Sequence, residues 1–126
     1  SAARRTGRSA VPKLPTVQRH LRGLRDALAE SLPVSRPVRL VMRSRIADEF
    51  GERALDGGSF TITINLRVRE AWAPNGRAVT VNEASDTLVH EWAHALVWDR
   101  QPEASEGHDG EWGRAYAKAY RVARRL

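Results

Sequence analysis

The chain of 126 residues is long enough for one domain with a single modest core. It contains no cysteine, which excludes disulfides, cysteine-ligated zinc and a cysteine nucleophile. No apolar run approaches the ~20 residues that span a bilayer, and no apolar stretch follows the basic N-terminus as a secretory signal requires. Without disulfides or a signal, we expect a cytoplasmic protein.

Arginine carries almost all of the positive charge. The net charge is +6 and the pI is near 10.9, while Lys13 and Lys118 are the only lysines. This balance makes non-specific DNA, or another polyanion, a candidate partner. The arginines cluster at 4–8, 36–45 and 121–125, and a solvated surface explains them equally well.

Residues 1–13 are small, polar and basic, which predicts a flexible basic arm ahead of a single domain over 14–126. From Thr16, as a predicted N-cap, apolar residues recur at helical spacing up to the stop at Pro33. Residues 37–45 alternate between apolar and polar, which predicts a strand with one buried face.

The middle of the chain predicts a sheet. Residues 48–58 carry three glycines and are interpreted as a turn-rich connection. Residues 59–65 alternate cleanly and predict a strand. Residues 74–76, Pro-Asn-Gly, predict a turn, and residues 77–81 a short further strand.

Two helices are predicted to complete the domain. Asn82 is the predicted N-cap of a helix that ends near residues 98–100. Asp109 is the predicted cap of a last helix over residues 110–125.

An H-E-x-x-H motif, His90-Glu91-Trp92-Ala93-His94, lies inside the first of these helices. Residues four apart on a helix share one face, with Cβ atoms about 5–6 Å apart, so both imidazoles can reach one metal ion. Glu91 can then approach a water on the metal as a general base without being a ligand. The competing interpretation is two ordinary histidines on an amphipathic helix.

A catalytic zinc ion usually has three protein ligands and an open position. His108, flanked by Gly107 and Gly110, is the best third candidate, because it precedes a helix that can fold back over the motif helix. Glu111 is the main alternative, and His20 is expected to be a surface residue. The other acidic candidates are Glu103, Glu106 and Asp109.

The sequence H-E-W-A-H-A-L, followed after about a dozen residues by E-G-H-D-G-E-W, resembles the SprT-like (Spartan-related) zinc metalloprotease family. The resemblance covers roughly residues 58–120. It implies that His90, His94 and His108 bind one Zn²⁺ ion and that Glu91 is catalytic. The chain departs from the family in having Asp109 where glycine is usual after the third histidine, and in lacking a cysteine-containing zinc ribbon.

We therefore expect an α+β fold, a small zincin-like domain with an N-terminal helix, a small sheet, the H-E-x-x-H helix and a C-terminal helix. We expect an exposed edge strand at residues 60–65 to pair with a peptide substrate, through the strand that carries Phe60, Ile62 and Ile64. The candidates for stabilising a charged transition state are Tyr116, Tyr120 and Arg114.

The expected function is a zinc-dependent metallopeptidase, a hydrolase that acts on a protein or peptide, with nucleic-acid-associated proteins as candidate substrates. One alternative is a nucleic-acid-binding module with a structural or relict zinc site. Another is a zinc hydrolase of a non-peptide amide or ester. Glu91 argues against the first alternative, because a structural zinc site needs no base.

Overall fold

The computed structural model describes residues 13–101, 108 and 110–126. The predictions made for the N-terminal arm, for Glu103, Glu106 and Gly107, and for Asp109 as a helix cap therefore lie outside the described residues. The described elements, in chain order, are α1 (Leu14–Ser31), β1 (Val38–Ala47), β2 (Gly51–Asp56), β3 (Ser59–Glu70), β4 (Ala73–Ala78), α2 (Val81–Arg100) and α3 (Gly110–Arg124).

The protein is α+β, with three helices and a small mixed sheet of four strands in the described part. The long strand β3 is the centre of the sheet. It pairs in parallel with β1, with Val38 opposite Phe60, and antiparallel with β2. Its C-terminal half pairs antiparallel with β4. The predicted α+β class is confirmed.

One face of the sheet packs against the helices in a continuous apolar core. The alternation of β3 supplies this face, because every second side chain of a strand points the same way. α1 contributes a leucine stripe at helical spacing, and α2 contributes Leu88 and Trp92. The largest fully buried members include Leu21, Leu24, Leu28, Phe60, Ile62, Ile64 and Leu66.

Hydrogen bonds join α2 to the segment that follows α1. The indole Nε1 of Trp92 donates a hydrogen bond to the carbonyl oxygen of Leu32 at 3.0 Å. Near the other end of α2, Asp99 accepts hydrogen bonds from the backbone and the hydroxyl of Ser35. These contacts hold the helix that carries the motif from the side opposite to its histidines.

The helix starts differ slightly from the prediction. α1 begins before Thr16, at Leu14, and Pro15 occupies its first turn, where a missing N–H costs nothing. α2 is capped by Thr80 rather than by Asn82. Thr80 accepts from the backbone N–H of Glu83, and the Glu83 carboxylate accepts from the backbone N–H of Thr80, which completes a capping box.

Three predictions about the sheet are wrong. Residues 48–58 are not a plain connection, because they contain β2. The Pro-Asn-Gly segment at 74–76 is part of β4, and the turn before β4 lies at 71–72. The strand that carries Phe60, Ile62 and Ile64 is not an exposed edge, since β1 and β2 pair with both of its sides. A substrate cannot add to it there.

No helix in the described ranges combines the length and the apolar character needed to cross a membrane.

Candidate metal centre

The three predicted histidines converge on one point between α2 and α3. His90 and His94 lie one turn apart on α2, and His108 reaches them from just before α3. The Nε2 atom of His108 lies 3.0 Å from Nε2 of His94 and 3.4 Å from Nε2 of His90. The three ligand atoms all lie within 4.8 Å of one another. Among the described residues, these histidines can hold a metal ion.

The donor set fits a tetrahedral metal. Nitrogens at 2.0–2.1 Å from one ion, at tetrahedral angles, would lie roughly 3.3–3.4 Å apart. Two of the observed separations are 3.0 and 3.4 Å, so little rearrangement is required. Neutral imidazole is a good ligand for Zn²⁺ and for several other divalent metals. The geometry therefore places three histidines close enough to hold a metal ion and does not select which metal.

The three histidines differ in their exposure to solvent. His94 is fully buried, His90 is half-buried and His108 is exposed. The ring of Trp112 packs against all three imidazoles, with centroid separations of 5.0, 5.6 and 4.7 Å to His90, His94 and His108. Its Nε1 also donates to the carbonyl oxygen of His90 at 3.4 Å. Trp112 thus forms the wall that joins the two helices around the histidines.

Burial lowers the pKa of His90, and the nearby His108 and Arg53 act in the same direction. A lowered pKa favours the neutral imidazole, which is the form that binds a metal.

Glu91 is almost completely buried beside the histidines, with 6% of its side chain exposed. Burial raises the pKa of this carboxyl group, while the guanidinium of Arg53 opposes the rise. Nη1 of Arg53 lies 3.3 Å from Oε1 of Glu91. Sequence reasoning missed Arg53, because it lies on β2, the strand that was predicted as a connection.

The three residues predicted to stabilise a charged transition state occupy different surroundings. The hydroxyl of Tyr116 donates to Oδ1 of Asp86, and this contact raises the pKa of Tyr116 to about 12. Tyr120 is 47% exposed and stacks on Tyr116. Arg114 is exposed and lies 3.6 Å from Glu111. Their role in catalysis stays a prediction.

Of the remaining ligand candidates, the two that the structure describes do not belong to the histidine cluster. Glu111 contacts Arg100 at 3.5 Å and is not a member of the cluster. His20 is half-buried and belongs to no such metal-binding group within the described ranges.

Three grooves in the described part of the chain border α2, and two of them lie along the part that precedes His94. A groove of 260 Å³ opens onto the histidine site, between the start of β2 and the face of α2 that carries His90 and Glu91. A larger groove of 520 Å³, lined by His20, Tyr120 and Arg124 among others, includes neither His90 nor Glu91. Of these two, the smaller groove is therefore the one that reaches both His90 and Glu91.

No family model matches this chain, and neither the curated proteins nor the solved structures contain a match to it.

Proposed function

We propose that this protein is a zinc-dependent peptidase with a minimal zincin-like domain, in the manner of the SprT-like family that its motifs resemble. The observation that carries the proposal is the placement of a buried carboxylate, Glu91, beside three convergent imidazoles. A purely structural metal site has no use for such a base.

The histidines are assigned to metal binding and Glu91 to proton transfer. His90, His94 and His108 would hold the metal, and the exposed side of His108 leaves the site accessible from solvent. Zinc, when bound, would supply Lewis-acid activation of a water molecule and of a peptide carbonyl. Glu91 accepts the proton of the attacking water on a carboxylate oxygen and passes it to the leaving amine.

The edge of β2 favours a peptide as the substrate. Among the described strands, β2 pairs with β3 only, so one side of its backbone is unpaired. Its first residue, Gly51, lines the 260 Å³ groove together with His90 and Glu91. An extended peptide that adds to an open strand edge gains main-chain hydrogen bonds without a deep pocket. This arrangement replaces the substrate-pairing role first predicted for β3.

The test is a comparison of Glu91→Gln with the wild-type protein. Glutamine keeps the size of the side chain and removes its basicity. We expect one zinc ion per chain by elemental analysis in both proteins, and cleavage of casein reduced by at least ~10²-fold in the variant. The control is Glu30→Gln on the exposed side of α1, which should cleave normally. Near wild-type cleavage by Glu91→Gln would refute the mechanism.

The same assay separates the alternative hydrolase. Turnover of small amides or esters, with no cleavage of casein or of a flexible peptide, would identify a non-peptide substrate.

A second proposed activity, binding of nucleic acid, is supported by exposed arginines on the face of the sheet opposite to the helices. Arg39 and Arg43 on β1 pair with Thr61 and Asn65, so they lie on the face opposite to the buried Phe60 side. Arg67 and Arg69 extend the same face along β3, and all four arginines are exposed. Such a surface favours phosphate contacts, which carry no sequence preference.

Titration of a labelled oligonucleotide at two salt concentrations tests this surface. We expect affinity to fall steeply with salt, and Arg39→Ala and Arg67→Ala each to reduce the salt slope by up to about one phosphate contact. Arg22→Ala on the exposed side of α1 is the control. An absence of binding at low salt would refute the proposal. A casein assay with and without single-stranded DNA would show whether the two activities are linked.

A further inference from the structure

Strand β2 approaches helix α2 unusually closely at Gly51. A Cβ atom on Gly51 would lie 2.5 Å from Cγ2 of Thr87 and 2.8 Å from the carbonyl oxygen of Thr63. Side-chain Cβ atoms do not tolerate such distances, so only glycine lets the strand lie directly on the helix at this point.

The close approach determines which side chains meet next. Arg53 follows Gly51 by two residues and therefore projects from the same face of β2. Glu91 follows Thr87 by four residues and therefore lies on the same face of α2. Because Gly51 contacts Thr87, the guanidinium of Arg53 lies next to the carboxylate of Glu91.

The resulting ion pair is partly buried and involves one of the two carboxylate oxygens of Glu91. Nη1 of Arg53 donates to Oε1 of Glu91 at 3.3 Å, and the side chains are 23% and 6% exposed. Among the described residues, Oε2 of Glu91 accepts no hydrogen bond. One carboxylate oxygen is therefore held by the sheet, and the other is available to a water molecule.

We propose that Arg53 is a positioning residue, whose guanidinium holds Oε1 of Glu91 and thereby directs Oε2 to the reacting water. The proposal rests on the peptidase function proposed above. A free glutamate side chain samples several rotamers, and a base is effective only within hydrogen-bond reach of the proton it takes. Lysine is a poor substitute, because its ammonium is a flexible point charge and the guanidinium is a planar fork.

The first test needs no activity. In the zinc-loaded protein, urea unfolding of Arg53→Gln, Glu91→Gln and the double variant forms a double-mutant cycle. We expect the two substitutions to be non-additive, with a coupling of about 3- to 30-fold in the unfolding equilibrium constant. Arg22→Gln, on the exposed side of α1, combined with Glu91→Gln is the control and should be additive. An additive Arg53 cycle would overturn the proposal, even for an active enzyme.

The second test separates positioning from substrate binding. We expect Arg53→Ala to lower kcat for peptide cleavage by about 10- to 100-fold, with KM within about threefold, and guanidinium at low millimolar concentration to restore part of kcat. Arg53→Lys should restore less activity than added guanidinium does. Arg22→Ala, on the exposed side of α1, is the control and should show neither loss nor rescue. A raised KM with unchanged kcat would overturn the proposal and make Arg53 a substrate-binding residue.

The two tests distinguish the two possible failures. If the double-mutant cycle shows coupling between Arg53 and Glu91 but the wild-type protein cleaves no peptide, the peptidase function is refuted. If the wild-type protein cleaves peptide but the two substitutions are additive in unfolding, only the positioning role of Arg53 is refuted.

Discussion

Substitution of Gly51 by alanine should disrupt the contact on which the candidate site depends. The added Cβ would lie 2.5 Å from Cγ2 of Thr87 and 2.8 Å from the carbonyl oxygen of Thr63. Carbon atoms in contact normally lie about 3.5–4.0 Å apart, so roughly 1 Å of separation is missing. The threonine methyl group can turn away only if χ1 rotates, which would break the hydrogen bond from the Thr87 hydroxyl to the carbonyl oxygen of Glu83. The carbonyl of Thr63 belongs to the central strand.

The magnitude follows from the cost of overpacking. Inserting a methyl group into a well-packed region typically costs about 1–3 kcal/mol, and we expect Gly51→Ala to fall in the upper half of that range because two neighbours are affected. With a urea dependence of about 1–3 kcal/mol per M, the unfolding midpoint should fall by about 1 M. Equilibrium unfolding in urea, followed by tryptophan fluorescence, measures this shift.

Two matched variants sharpen the test. Gly23 lies inside α1, where an added Cβ would meet no neighbouring atom within 4 Å, so Gly23→Ala should stabilise the protein by about 0.5–1 kcal/mol. Thr87→Ser removes Cγ2, so adding it to Gly51→Ala should recover part of the loss and leave the clash with Thr63. If Gly51→Ala unfolds at the wild-type midpoint, β2 does not lie directly on α2, and the argument that brings Arg53 to Glu91 fails.

Three further predictions concern the metal, the acid stability and the aromatic stack. His108→Ala should sharply lower zinc content by elemental analysis, whereas His20→Ala should leave it unchanged; full zinc in His108→Ala would refute the third ligand. Hydrogen bonds from Arg77, together with the backbone N–H of Thr80, hold the pKa of Glu83 at about 2, below its ordinary 4.5. As the pH falls, Glu83 is therefore protonated in the unfolded state before it is protonated in the folded state. The stability that this ion pair contributes is complete above pH 4.5 and is lost as the pH falls towards 2. Glu83→Gln should flatten this part of the pH dependence of stability in acid-unfolding measurements. Tyr116→Phe should cost about 0.5–1.5 kcal/mol through the lost bond to Asp86 and leave peptide turnover within about threefold, whereas a loss of ~10²-fold would make Tyr116 a transition-state stabiliser.

The helices and the two apolar strands could be predicted from the sequence because their apolar residues recur at the period of the element. α1 has its leucines at helical spacing, and β3 alternates from Phe60 to Ile64. These patterns arise because burial selects one face of each element. The three histidines were also predictable, since two of them share a helix face and the third lies in a glycine-flanked segment.

β2 was not predictable in the same way. The first two residues on the inner face of Gly51–Asp56 are a glycine and an arginine, where an ordinary strand would carry apolar residues, and the third, Leu55, is half exposed. Gly51 is required by the close approach of a helix, and Arg53 by a buried carboxylate 38 positions along the chain. Neither requirement produces a local alternation of apolar and polar residues. The strand was therefore not recognisable from the sequence, because contacts with distant residues determine its composition.

Placing the third histidine ahead of α3 has a consequence for the cohesion of the molecule. The buried side chains of α3 are Ala115, Ala119 and Val122, and the half-buried Trp112 and Tyr116 pack beside them. A metal held jointly by α2 and His108 would act as a cross-link between the two helices, and its binding free energy would add directly to their association. The amide hydrogens of α3 should then exchange with solvent at a rate set by metal occupancy, while those of β3 remain governed by the core.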